Sequence, residues 1–93
     1  EGIGEDLIPG ALDFSVIDKM VRVYDKESYQ MTRKALREEG LFVGISCGSA
    51  LVGALRYADE LDGGTIVVLL PDSGRNYINK AFSEEWLIDH DLL

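Results

Sequence analysis

The sequence predicts an α/β fold with parallel strands, on three observations. The run Thr65–Leu70, "TIVVLL", is apolar on both faces, which suits a strand covered on two sides and not a half-exposed antiparallel one. Short β-branched or apolar runs alternate with stretches of helical periodicity, in the order strand–helix–strand–helix–strand–helix. Two junctions where such a run gives way to a helix, "GISCGSA" at Gly44–Ala50 and "PDSGRNY" at Pro71–Tyr77, combine small residues with hydroxyls. Open α/β sheets bind ligands at that end of the strands.

Each element has its own local reason. Glu1–Leu12, "EGIGEDLIPGAL", carries glycines and a proline without periodicity and reads as loop. "SVID" at Ser15–Asp18 is similar to a capping box with Asp in place of Glu, so a short helix should follow it. Val21–Tyr24 is β-branched and alternating, as in a strand. Asp25 is placed to cap a helix on which Tyr29, Thr32, Ala35 and Leu36 share a face, and Gly40 stands where a C-terminal glycine belongs. Leu41–Ile45 is a short apolar run and a second strand. "SCGSA" leads into a helix over Leu51–Leu61, with Leu51, Ala54, Leu55, Ala58 and Leu61 along one side. Asp62–Gly64 turns into the strand Thr65–Leu70. A last helix is expected over Tyr77–Leu87, docked by Phe82 and Trp86.

Three short strands and four short helices cannot cover both faces and both edges of a run like "TIVVLL". A free parallel edge invites association. The sheet is therefore expected to be incomplete in isolation, part of a larger one or paired with another chain. The chain opens on Glu1 and not on methionine, as a processed piece would.

Composition narrows the function. With 93 residues the chain makes one small domain at most. A net charge of −8 argues against a phosphate backbone as partner, since nucleic-acid binders carry a basic face. No apolar run is long enough to span a bilayer and no signal peptide opens the chain. One cysteine and one histidine give neither a disulfide framework nor a metal cluster. A reducing, cytoplasmic compartment follows. Cys47 reads as a small buried filler, His90 as a solvated histidine. No dinucleotide G-x-G-x-x-G follows the first strand and no Walker motif is present, which disfavours a nucleotide-binding half-domain.

The two junctions are the candidate site. In "GISCGSA", Ser46 or Ser49 can simply cap the helix, or the free amides can cradle an anion. In "PDSGRNY", Pro71 stops the strand and Asp72 and Ser73 stand together at the next helix start. Either can be an N-cap, and Arg75 can pair with Asp72. The adjacent acid and hydroxyl still point to a polar ligand.

"EGIGEDLIPGALDFSVID", "EEGLFVGISCGSA" and "VVLLPDSGRNY" followed by "F" and "EWL" occur in one order. In that order and spacing they resemble the C-terminal part of the catalytic core of cystathionine β-synthase and cysteine synthase, from Glu1 to about Leu87. These are pyridoxal-phosphate enzymes of fold type II, with the tryptophan-synthase-β-like fold. "PDSGRNY" and "EGIG" lean toward cystathionine β-synthase.

The resemblance implies that residues 1–93 are the C-terminal portion of a pyridoxal-phosphate-dependent β-replacement domain. Its substrates would be serine or an activated serine and a thiol (homocysteine, or sulfide in a cysteine synthase). It places Ser73 on the pyridine nitrogen of the cofactor, Gly2, Ile3 and Gly4 in a glycine loop along the cleft, and Pro71 and Asp72 beside the cofactor. Gly44–Gly48 would form a second wall. A neutral hydroxyl on that nitrogen makes a weaker electron sink than a carboxylate, which suits elimination of a β-substituent. Glu5 departs from the tyrosine that the animal enzymes carry there, which leaves the thiol open. The family's cofactor-anchoring lysine lies upstream. Lys19, Lys26, Lys34 and Lys80 read as surface charges, so no catalytic residue is assigned here. The 93 residues alone are expected to be inactive, needing the N-terminal part of the core within a homodimeric enzyme. The runner-up is a non-catalytic fragment that self-associates.

Overall fold

The computed structural model describes Ile3 and residues 7–93. Its regular elements there are helical: α1 (Asp25–Glu39), α2 (Ile45–Ala58) and the short α3 (Glu84–Asp89), with 3₁₀ turns at Phe14–Val16 and Gly74–Tyr77.

Helix α1 begins after Tyr24, whose extended backbone donates its amide to the Glu27 carboxylate at 2.8 Å. Asp25, expected as the cap, is the first helical residue, where its charge faces the positive end of the helix dipole. The far end is as the periodicity predicts. Gly40 takes the left-handed conformation (φ 68°, ψ 19°), which a side chain disfavours, and the Gly40 and Leu41 amides turn back to the carbonyls of Leu36 and Ala35.

Helix α2 starts at Ile45 instead of near Leu51, so the whole of "ISCGSA" is helical. The reason is tertiary. Ser28, Thr32 and Ala35 are the buried face of α1, and small residues at the start of α2 let the two backbones close on it. A Cβ on Gly48 would stand 2.1 Å from Thr32 Oγ1 and 2.3 Å from the Ser28 carbonyl oxygen. The polar groups in this seam are satisfied. Thr32 Oγ1 donates to the Ser28 carbonyl (2.8 Å), Ser28 Oγ to the Tyr24 carbonyl (2.9 Å), and Ser49 Oγ to Ser28 Oγ (2.7 Å).

Two expected helices change. The one after Ser15 is a single 3₁₀ turn around it, because the Asp13 carboxylate accepts from both the amide (2.9 Å) and the hydroxyl (2.6 Å) of Ser15. The one over Tyr77–Leu87 is divided, since Ser83 accepts from the Trp86 amide at 3.3 Å and so starts α3 afresh. Phe82 and Trp86 then face different neighbours. Phe82 meets Phe42 (ring centroids 5.2 Å apart), whereas Trp86 meets Tyr29 (5.6 Å) and stacks on His90 (4.0 Å).

The parallel sheet does not form among the described residues. Val21–Tyr24, Leu41–Ile45 and Thr65–Leu70 make no ladder with one another; the one sheet-type contact is an isolated antiparallel bridge between Val43 and Ser73. A strand needs a neighbour's amides and carbonyls along its edge, and these segments find other company. Arg56, for example, ties the first of them to α2 by donating to the Arg22 carbonyl at 2.8 Å. Thr65–Leu70, expected to be covered on both faces, leaves Val67 91% and Leu69 80% exposed.

The chain exposes 6971 Å², against about 5,400 Å² for a self-contained protein of its mass. Its radius of gyration is 14.3 Å, where about 12 Å is usual for the length. The core is correspondingly thin: among the described residues the buried apolar side chains are Ala35, Val43, Ile45, Cys47, Val52, Ala81 and Leu87.

Candidate functional site

A cleft of about 480 Å³ opens where α1, α2 and the segment before α1 meet. Val21 and Val23 form one side, Ile45, Ala50 and Gly53 another, and Ile3 closes on it from the first loop. The polar lining is Asp25, Ser28, Tyr29, Ser46 and Ser49. Ser49 donates to Ser28, and Ser28 in turn to the Tyr24 carbonyl. Ser46 is different. Gly44 occupies the N-cap of α2 with no side-chain cap bond, which leaves the Ser46 hydroxyl uncommitted to the helix start.

The wall at Val21–Val23 is lashed in place by charge. Glu27 accepts from the Tyr24 amide and pairs with Arg56, whose other nitrogen holds the Arg22 carbonyl. The Tyr24 amide, and then the Arg56 guanidinium, hold the Glu27 carboxyl below the ordinary glutamate range. Asp13 is lowered likewise by the Ser15 hydroxyl and amide.

The second candidate region is the junction of α2 with residues 71–77. Asp72 is its centre. One carboxylate oxygen accepts from the Tyr77 hydroxyl at 2.7 Å and the other from the Cys47 thiol at 3.3 Å, while the Asp72 carbonyl accepts from the Gly44 amide at 3.4 Å. Ser73 is exposed and caps the Gly74–Tyr77 turn, accepting from the Arg75 amide at 3.2 Å. That cap uses a lone pair and leaves the hydroxyl hydrogen as a donor.

Of the residues singled out in the sequence, Ile3 lines the cleft, whereas Pro71, Asp72 and Ser73 do not. Gly2, Gly4 and Glu5 lie outside the described residues. Ser46, read from its own residues as a cap and by the resemblance as part of the Gly44–Gly48 wall, lies in the lining; the glycine before "ISC" takes over the capping position. Gly48 belongs to the helix seam and not to a loop. Cys47 is the fully buried filler expected, with a thiol that also donates. Lys19 and Lys34 pair with Glu60 and Glu38, and Lys80 is half-buried, not a free surface charge. His90 is exposed, with Nδ1 2.8 Å from the Trp86 carbonyl oxygen. No helix among the described residues is long and apolar enough to cross a membrane.

Comparison with known proteins bears on this geometry. Residues 1–72 match the model of a family described as pyridoxal-phosphate dependent enzyme. The chain is 48% identical over 94 residues to cystathionine beta-synthase of Dictyostelium discoideum, covering 100% of this chain and 19% of that protein. Against cystathionine beta-synthase of Oryctolagus cuniculus the identity is 44% over 94 residues, 100% of this chain and 17% of that one. The crystal structure of O-ureido-L-serine synthase superposes with a TM-score of 0.80 at 32% identity, over 96% of this chain and 31% of that one. The chain thus spans 17–19% of the length of these two curated relatives.

Proposed function

Because the chain belongs to the pyridoxal-phosphate-dependent enzyme family, whose cofactor is pyridoxal phosphate, we propose that it is the C-terminal part of the catalytic core of a β-replacement enzyme. The reaction is of the cystathionine β-synthase type, joining serine to homocysteine. The observation that carries this reading is similarity at 44–48% identity along the whole chain to proteins of that name. A cysteine synthase, taking an activated serine and sulfide, is the runner-up. Either would be a lyase or transferase of transsulfuration or cysteine biosynthesis in the cytoplasm, with the full enzyme a homodimer.

The cleft suits a planar heteroaromatic ring. Val21, Val23, Ile45 and Ala50 offer apolar surface, and hydroxyls stand at its edge. Bound pyridoxal phosphate supplies the electron sink for breaking the bond to a β-substituent. The work of this chain is to hold the ring: a serine hydroxyl donates to the pyridine nitrogen, and the apolar walls keep water from it. The resemblance gives the nitrogen contact to Ser73, with Gly2, Ile3, Gly4, Pro71 and Asp72 beside it. A second reading has a specific observation behind it. Ser46, not Ser73, shares the cleft with Ile3.

Ser46→Ala and Ser73→Ala in the full-length protein discriminate these. The serine that contacts the nitrogen, when removed, should shift the absorption maximum of the bound cofactor and lower kcat by about a hundredfold. The other should leave the spectrum unchanged. Turnover of serine with homocysteine against activated serine with sulfide decides the substrate pair; activity with neither ends the β-replacement reading.

A further inference from the structure

Asp72 joins the start of α2 to residues 71–77 without lining the cleft, and its bonds are concentrated there. Each carboxylate oxygen has a protein donor, the Tyr77 hydroxyl at 2.7 Å on one and the Cys47 thiol at 3.3 Å on the other. Its carbonyl holds the Gly44 amide, and the Cys47 sulfur lies 3.5 Å from that carbonyl oxygen as well. The N-cap residue of α2 and a residue of its first turn are therefore both gripped by one side chain and its own peptide. The approach is close. A Cβ on Gly44 would stand 2.1 Å from the Asp72 carboxylate oxygen, so a glycine is required for the grip. The negative charge also lies at the positive end of α2, where it is favoured.

We propose that Asp72 is a positioning residue: a clamp that fixes the first turn of α2 against residues 71–77 and so sets the serine hydroxyl presented to the cofactor. This rests on the reading of the chain as a cofactor-holding segment. It does not depend on which serine makes the contact, because Ser46 precedes Cys47 and Ser73 follows Asp72. A hydroxyl on the residue next to a clamped one moves when the clamp is lost, and small misplacements at a reacting centre are costly.

The test is Asp72→Ala in the full-length protein. An alanine keeps the peptide carbonyl but has no side-chain acceptor for either the Tyr77 hydroxyl or the Cys47 thiol. In the apo-protein, amide hydrogen exchange over residues 44–49 should speed up while that of α3 stays as in the wild type. In the pyridoxal-phosphate-loaded protein the absorption maximum should shift and kcat fall by about ten- to a hundredfold with KM little changed. Cys47→Ser, which keeps a donor, should retain the wild-type spectrum and exchange. Should Asp72→Ala fail to fold, Cys47→Ala removes one arm of the clamp and is read in the same way. Wild-type exchange at 44–49 with a wild-type spectrum in a folded variant overturns the proposal. If both serine variants leave the spectrum unmoved, the cofactor reading fails instead, and the apo-protein exchange still decides whether Asp72 clamps α2.

Discussion

At the scale of single residues, Gly48 and Glu27 show how local chemistry and tertiary contact divide the work. Gly48 sits in a helix, where alanine is favoured by about 1 kcal/mol. The added methyl, however, would fall on the Ser28 carbonyl, a backbone atom that cannot rotate away. Overpacking costs about 1–3 kcal/mol, so Gly48→Ala should destabilise despite its propensity, read as a lower denaturation midpoint with α2 intact by circular dichroism. Glu27 has its carboxyl lowered by the Tyr24 amide and Arg56. A carboxylate lowered in the folded state adds stability above its unfolded pKa, and that contribution is lost as pH falls through the folded value. Acid titration should therefore loosen the Val21–Tyr24 wall only below the ordinary glutamate range. Glu27→Gln should remove this dependence and weaken the wall already at neutral pH, seen as faster exchange of the Tyr24 amide. The Glu27 cap could have been read from its spacing to Tyr24; the Arg56 pairing, 29 positions away in sequence, could not.

At the scale of elements, α3 separates capping from burial. It is six residues long, too short to hold itself. Ser83 caps it, worth about 1 kcal/mol, and Leu87 is its fully buried anchor, where truncation to alanine costs about 2–5 kcal/mol. Leu87→Ala should thus detach α3 and shift the Trp86 fluorescence maximum to longer wavelength. Ser83→Ala should leave the emission near that of the wild type. The legible parts of the elements were those with local causes: the periodic face of α1 and the glycine that ends it. The start of α2 was not legible, because glycine and serines argue against a helix by propensity and only the close approach of α1 makes them the right residues. Nor was the break before α3, since Ser83 looks like any polar residue between two aromatics until its hydroxyl is seen on the Trp86 amide.

At the scale of the whole molecule, excess surface and missing strand neighbours point the same way. With Val67 and Leu69 bare and 6971 Å² exposed, the 93 residues alone should bind a hydrophobic dye strongly. With pyridoxal phosphate and borohydride, no single lysine should be labelled stoichiometrically by intact mass. Adding the rest of the catalytic core in trans should suppress dye binding and restore turnover; stoichiometric labelling of one lysine in the isolated chain would show a site other than the one proposed. By itself the sequence determined the family, through three motifs in register, and the main helices, through periodicity and one glycine. Those are properties of residue type and spacing along the chain. The tertiary structure alone decided that "ISCGSA" is helical, that Asp72 is bonded to Cys47 and Tyr77, and that Ser73 caps a turn outside the cleft that Ser46 lines. It also decided that "TIVVLL" lies uncovered. Each of these depends on which distant atoms come within bonding or packing distance, and a strand's partners are the part of its environment that its own residues specify least.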